Sequence, residues 1–257
     1  MKTNVSAIND HLRCPAYWHH RHVSKRGSPE KSPALEFGIR WHKAMERWPE
    51  HTELDDSHED QLMLAGLKEW ARLRFQWNLL MGPAELALET RIGAHTVFGR
   101  LDRIVTWNDQ FWHLQHKTMD GRLPVEPFTR AQARSYHEQC YRWMAMDAGF
   151  KPYGGTILAI LRKITPKQLR EGTKPPLEIS HLAITQNELA KRDLECTLLA
   201  MECTQADTCP RQYPIACVQG WRICPYLDVC DGITRIEDMP KFDPNERYKG
   251  TKYHEPS

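Results

Sequence analysis

The chain has 257 residues, a formal net charge of +2, 40% apolar residues and 26% charged residues. This is ordinary for a soluble globular protein, and the length can bury a large core as one domain or one domain with a small appendage. The longest purely apolar run, Ile157–Leu161, is far below a bilayer-spanning length, and the first residues lack a leader's apolar region. A cytoplasmic protein with no membrane association is expected.

Near-neutral charge does not advertise a nucleic-acid binder. A DNA-attracting field must come from local patches, such as His19-His20-Arg21-His22 with Lys25 and Arg26, or Lys163, Lys167, Arg170 and Lys174. Runs of this kind are more often solvated faces. Cysteine usage is more informative. Eight cysteines in a long chain of intracellular character favour metal or cluster ligation over disulfides, and six lie between Cys196 and Cys230.

In chain order, Ser6 can cap a short helix through Arg13 that Pro15 breaks. Residues 33–48 read as a helix opening at Ser32-Pro33. A longer helix spans about 58–80 until Gly82-Pro83 stops it. The period then changes, and Leu86–Ile92, Thr96–Trp107 and Phe111–Thr118 read as strands. A Pro-rich loop, Leu123–Phe128, leads into a helix from about Thr129 to Met146. Gly154–Ile164 is a strand candidate, followed by a basic loop and a further strand at Leu177–Ile184. A helix from Gln186 to about Glu202 precedes the cysteine-rich region, and a loosely held polar end follows Asp238. The pattern describes a mixed α/β sandwich.

Trp107-Asn108-Asp109-Gln110 is a turn signal between two strand patterns. With a tight loop there, paired positions sum to 217. Asp102 then lies opposite Gln115, with Lys117 and Arg100 on the same face. Taken alone, this is better explained by a solvated polar sheet face.

The residues around the hairpin carry a resemblance. Gly99-Arg100-Leu101-Asp102-Arg103-Ile104, then Leu114-Gln115-His116-Lys117-Thr118, is similar to the second and third motifs of RecB-like nucleases of the PD-(D/E)XK superfamily. Upstream, Gly38, His42 and Glu46 match that family's G-x3-H-x3-E helix and share one helical stripe. Downstream, the family's Q-x3-Y helix motif has two candidates, Gln132 with Tyr136 and Gln139 with Trp143, of which we favour Gln139.

The resemblance implies a restriction-endonuclease-like core: a mixed central sheet flanked by helices, with a cysteine-rich C-terminal segment closing on the N-terminus. Residues 1–32 would form the N-terminal segment, 33–200 the nuclease core, 201–238 the cysteine-rich segment and 239–257 a polar tail. The implied activity is hydrolysis of DNA phosphodiesters as an exonuclease on single strands or ends, dependent on Mg²⁺ or Mn²⁺. The implied metal set is His42, Asp102, Gln115 and the backbone carbonyl of His116, with Lys117 acting on the attacking water or the developing charge. Glu46, Glu89 and Arg100 are further candidates.

Position 115 departs from the family, which carries Asp or Glu there. An amide brings no charge, so metal affinity and catalysis should suffer. Gln115 reads either as a natural variant or as an engineered isostere of Glu, and its preserved shape favours the latter. A non-catalytic DNA-end-binding protein on a nuclease fold is the alternative function.

Cys217-x6-Cys224-x5-Cys230, with Cys14-Pro15 far upstream, resembles the one-plus-three cysteine pattern of iron–sulfur members of this branch, which include AddB-type and CRISPR-associated exonucleases. Four thiolates suit a [4Fe–4S] cluster that staples a very long loop. A Cys₄ zinc site is the competing reading, and Cys203 and Cys209 are alternative ligands.

Overall fold

The computed structural model describes residues 1–27, 32–49, 57–133, 135–183, 188–204, 218–219, 222–231, 233–241 and 244. The chain divides into two compact units. One comprises Met1–Lys31, Glu89–Gly99 and Asn187–Lys252; the other comprises Ser32–Leu88 and Arg100–Gln186. Two long strands run through both.

The chain opens with β1 (Lys2–Asn4) and α1 (Val5–Arg13). The cap of α1 is Asn4, whose side chain accepts from the Ala7 N–H at 2.7 Å, rather than the expected Ser6. A short helix, α2 (Pro15–Trp18), leads into a π turn at His19–Val23. In the same unit α8 (Glu188–Cys203) packs against α1. Its Leu194, Leu198 and Met201 and the Val5, Ala7 and Ile8 of α1 are buried. The Met1 ammonium pairs with Glu202 at 2.9 Å. At the far end, the short strands β7 (Val218–Gln219) and β8 (Arg222–Ile223) pair antiparallel, and α9 (Leu227–Cys230) follows. The Met239 and Pro240 carbonyls accept from Arg26 and Gly27, so these residues are tied down where a loose end was expected.

The second unit begins with α3 (Pro33–Arg47), capped by Ser32, and α4 (His58–Gln76), capped by Ser57. The α4 helix stops earlier than the sequence implies. Trp77 forms its C-cap and Asn78 takes a left-handed φ of 52°, a conformation that asparagine tolerates. β2 (Leu80–Ile92) therefore starts before Gly82-Pro83 instead of after it. A Cβ at Gly82 would lie 2.9 Å from the Ile104 carbonyl, so the close approach of β2 to its neighbour requires glycine there.

β3 (His95–Trp107) and β4 (Gln110–Asp120) form the expected hairpin. Asn108 and Asp109 both have positive φ, the conformation of a two-residue turn that follows strand twist. The recorded register runs from Trp107↔Gln110 to Arg103↔Leu114, so paired positions do sum to 217.

The expected helix over 129–146 is two helices, α5 (Val125–Ala133) and α6 (Tyr136–Asp147). Ser135 accepts from the Glu138 N–H at 3.3 Å and restarts the helix. Part of the expected Pro-rich loop is thus the first turn of α5. β5 (Tyr153–Lys163) follows, then α7 (Pro166–Glu171) where a basic loop was expected. A Thr165–Gln168 capping box starts α7 and Gly172 in the left-handed region ends it. β6 is Leu177–Ala183.

The sheet has six strands in the order β1-β3-β4-β5-β6, with β2 also paired to β3. β1 runs parallel to β3, β3 antiparallel to β4, β4 parallel to β5 and β5 antiparallel to β6. In the second unit, Trp112 and Leu114 of β4 and Ile157, Ala159 and Leu161 of β5 pack against Phe37 and Trp41 of α3 and Trp70 of α4. The opposite face buries Met119, Leu158 and Ile160 under Val125 and Phe128 of α5. Strand alternation thus gives β4 two differently covered faces. Among the described residues, no helix is long and apolar enough to cross a membrane.

Candidate metal centre and its polar neighbours

Gly38 begins the stripe of α3 that faces the sheet; a Cβ there would only just touch Thr118 Oγ1 of β4, at 3.5 Å. One turn on, His42 places Nδ1 3.5 Å from Asp102 Oδ2. A further turn on, the Glu46 carbonyl accepts from Arg103 at 2.9 Å. The 3.6-residue period therefore lays Gly38, His42 and Glu46 along the β3–β4 hairpin.

Asp102 lies one residue past the last recorded β3–β4 pair. Its Oδ2 accepts the His116 backbone N–H at 2.8 Å, and the His116 ring Nδ1 lies 3.7 Å from the same oxygen. His42 and His116 meet edge to face with ring centroids 5.7 Å apart. One donor atom each from His42, Asp102 and His116 falls within 4.8 Å of the other two. Burial opposes ionisation of Asp102, but the neighbouring histidines and the His116 N–H outweigh it and hold the carboxyl below its usual value. Burial drives the His116 ring down to about 3, so at neutral pH it is an uncharged imidazole with a lone pair. Its buried Nε2 has no hydrogen-bond partner among the described residues. One carboxylate, two imidazoles and an unsatisfied ring nitrogen are a donor set that fits a divalent ion.

Gln115 and Lys117 point from β4 to the α6 side, so the expected grouping of Asp102 with Gln115 and Lys117 on one face is not what the strand presents. The β4 residue beside Asp102 and His42 is His116, whose side chain alternates to the other face. With its amide oriented to satisfy both ends, Gln115 Oε1 accepts from Lys117 Nζ at 3.1 Å and Nε2 donates to Glu138 Oε1 at 2.9 Å. Glu138 is fully buried. Its Oε2 accepts from Thr156 at 2.5 Å, and His113 lies 3.9 Å away. Burial presses the Glu138 carboxyl towards neutrality, yet its hydrogen bonds and histidine neighbours hold it below the usual range. Among these the hydrogen bond from His137 comes first, with the Thr156 hydroxyl adding to it, and His113 is itself driven down to about 4 by burial.

The remaining sequence candidates fall in different places. Gln139 sits on α6 with Oε1 buried and unpartnered among the described residues. Arg100 pairs with Glu85 at 3.2 Å. Burial raises the Glu85 carboxyl, and the Asp102 charge adds to this. Glu89 belongs to the other unit and is engaged by Lys2 at 2.7 Å. Sequence reasoning did not single out the His116 ring, Glu85 or Glu138. The Ser135-x-x-Glu138 spacing was visible, but it reads as an ordinary helix cap.

In the first unit, Cys14 and Cys224 are buried with Tyr17 and Tyr226 in one cluster, against which Cys230 packs. His20 Nε2 lies 3.9 Å from Cys230 Sγ, and the Tyr226 hydroxyl donates to the Arg26 carbonyl. Cys217 and Cys209 lie outside the described residues, and Cys203 is exposed at the end of α8. These three cysteines thus share one apolar cluster, but among the described residues the side chains close enough to share a single ion are His42, Asp102 and His116, not these thiols.

No protein-family model and no curated protein matches the chain. Among solved structures, a protein of Eubacterium rectale described as "putative exonuclease" aligns over 96% of this chain and 93% of its own, with TM-score 0.58 and 12% identity. At that identity the likeness shows a shared fold. The alkaline exonuclease (LHK-Exo) of Laribacter hongkongensis aligns over 79% of this chain and 88% of its own, at 9% identity and TM-score 0.37, too low to carry an argument. The chain thus shares the mixed α/β fold of the Eubacterium rectale protein.

Proposed function

We propose that this chain is a metal-dependent deoxyribonuclease acting as an exonuclease on single strands or DNA ends. The observation that carries the reading is the meeting of His42, Asp102 and His116 at the end of the β3–β4 pairing. These three residues would hold one divalent ion. Two imidazoles tilt the preference from Mg²⁺ towards Mn²⁺. Bound there, the ion supplies Lewis acidity, lowering the pKa of water and neutralising charge that builds on the phosphodiester. Burial keeps His116 uncharged and able to ligate, while the half-exposed His42 leaves the centre open on one side. Lys117 leaves β4 on the α6 side rather than beside His42 and His116, and from there its ammonium would offset phosphate charge as hydrolysis proceeds.

Cys14, Cys217, Cys224 and Cys230 would hold a [4Fe–4S] cluster, supported by the gathering of the three described cysteines. Its role is structural: it clamps the N-terminal segment to the 224–230 segment.

The test is digestion of end-labelled DNA by the native chain with Mn²⁺, with Mg²⁺ and with chelator. Stepwise shortening from one end that needs the metal and disappears in Asp102→Ala supports the reading. Uncut DNA that is nevertheless bound at its ends points to the non-catalytic alternative.

A further inference from the structure

Asp102 and Lys117 are accounted for by the proposed reaction, but the buried carboxylate of Glu138 is not. We propose that Glu138 is the positioning residue for Lys117, acting through Gln115, and that Gln115 is the working residue of this chain rather than a stand-in for glutamate. The proposal rests on the nuclease reading only in what Lys117 is positioned for.

The side chains form an ordered relay. Thr156 donates to Glu138 at 2.5 Å; with the Gln115 amide turned to satisfy both ends, Gln115 donates to the other carboxylate oxygen at 2.9 Å, an oxygen that His137 Nδ1 also approaches at 3.4 Å, and Lys117 donates to the Gln115 carbonyl at 3.1 Å. An amide has one donating and one accepting end, so only one orientation satisfies a carboxylate on one side and an ammonium on the other. The carboxylate sets that orientation, and the amide oxygen then fixes the ammonium.

Glutamate at 115 would fit poorly. It would set a second carboxylate at hydrogen-bond distance from Glu138, and two carboxylates so close cannot both stay ionised. It would also remove a hydrogen bond from a fully buried acid. The negative charge that the sequence lacks at 115 is instead supplied at 138. Ser135, capping α6 through the Glu138 N–H, and Thr156 on β5 hold that acid in place.

The experiment is a charge swap. Native protein, Gln115→Glu, Glu138→Gln and the double variant are compared for Mn²⁺-dependent cleavage, with kcat and KM separated, and for thermal unfolding. Each single change should lower kcat about 10- to 100-fold with KM for DNA little altered, the scale of losing a group that orients a reacting one. Gln115→Glu should also lower the unfolding midpoint. The double variant, with the acid at 115 and the amide at 138, should recover both. The proposal is overturned if Gln115→Glu alone matches or exceeds native activity, or if the double variant is no better than the weaker single variant. If no protein in the set, native included, cuts DNA with either metal, the nuclease reading fails by itself. The relay is then judged by unfolding, and failure of the swap to recover the midpoint lost in Gln115→Glu sinks it.

Discussion

Asp102 and His116 are joined through both backbone and ring: one carboxylate oxygen takes the His116 N–H at 2.8 Å and lies 3.7 Å from the ring Nδ1. The aspartate thus holds in place the strand residue whose imidazole would complete the proposed metal centre. Removing the carboxylate would remove one proposed ligand and loosen a second.

Asp102→Ala should therefore weaken Mn²⁺ binding by more than the roughly 100-fold typical of disturbing a group behind a ligand, and abolish cleavage. Asp102→Asn keeps an oxygen for the His116 N–H and should lose cleavage while staying closer to native stability. Calorimetric titration with Mn²⁺ and unfolding of both variants check this. Unchanged Mn²⁺ affinity in Asp102→Ala would rule out the centre.

His42 and His116 should separate when mutated. His42 is 37% exposed in its side chain, whereas the His116 side chain is 2% exposed. His42→Ala should lose metal binding and cleavage with little change in unfolding. His116→Ala should lose both and also leave a cavity, costing about 1–3 kcal/mol. Equal stability losses from the two would contradict the buried placement of the His116 ring.

The nearness of these residues was partly legible in the sequence, although the expected partner of Asp102 was Gln115 and not the His116 ring. The Asn108-Asp109 turn fixes the hairpin register, so the proximity of Asp102 to positions 115 and 116 follows from counting. The Gly38-His42-Glu46 stripe follows equally from helical period. Counting could not show that β3–β4 pairing is recorded only as far as Arg103, which lets Asp102 turn to the His116 N–H instead of standing opposite Gln115. The burial that makes His116 a neutral imidazole arises from tertiary packing, which a strand pattern does not encode. Glu138 was hidden for a different reason: its spacing from Ser135 already had a complete local explanation as a cap. β1 is three residues long, too short to express a period.

The cysteine pocket gives an independent prediction. Cys14 and Cys224 share one apolar cluster although 210 residues separate them in sequence. Anaerobically purified protein should be brown and contain iron. Cys14→Ser and Cys224→Ala should each lose colour and lower the unfolding midpoint, while the Cys140→Ala variant, changed at a buried thiol in the second unit, should keep its iron. A colourless protein carrying stoichiometric zinc would replace the cluster with the competing site.

Two glycines test the packing that supports the hairpin. A Cβ at Gly154 would fall 2.2 Å from Cε2 of the Trp112 indole, and one at Gly66 would fall 2.6 Å from a Leu161 methyl. The separations are similar, but the obstacles differ. At Gly66 the nearest atom is a terminal Leu161 methyl that can shift, the Trp41 indole lies further off at 3.2 Å, and alanine in α4 also gains about 1 kcal/mol of helix propensity over glycine. Trp112 is a rigid plane held by its Nε1 donating to the Trp107 carbonyl at 3.2 Å, and it packs on Trp107 beside the turn. Gly154→Ala must therefore displace the ring that braces the hairpin, at about 1–3 kcal/mol, or roughly 2–12 °C in a domain of this size. Gly66→Ala should cost less than half as much. Thermal unfolding of the two variants decides the matter, and a larger loss for Gly66→Ala would mean that Leu161, not Trp112, is the immovable neighbour.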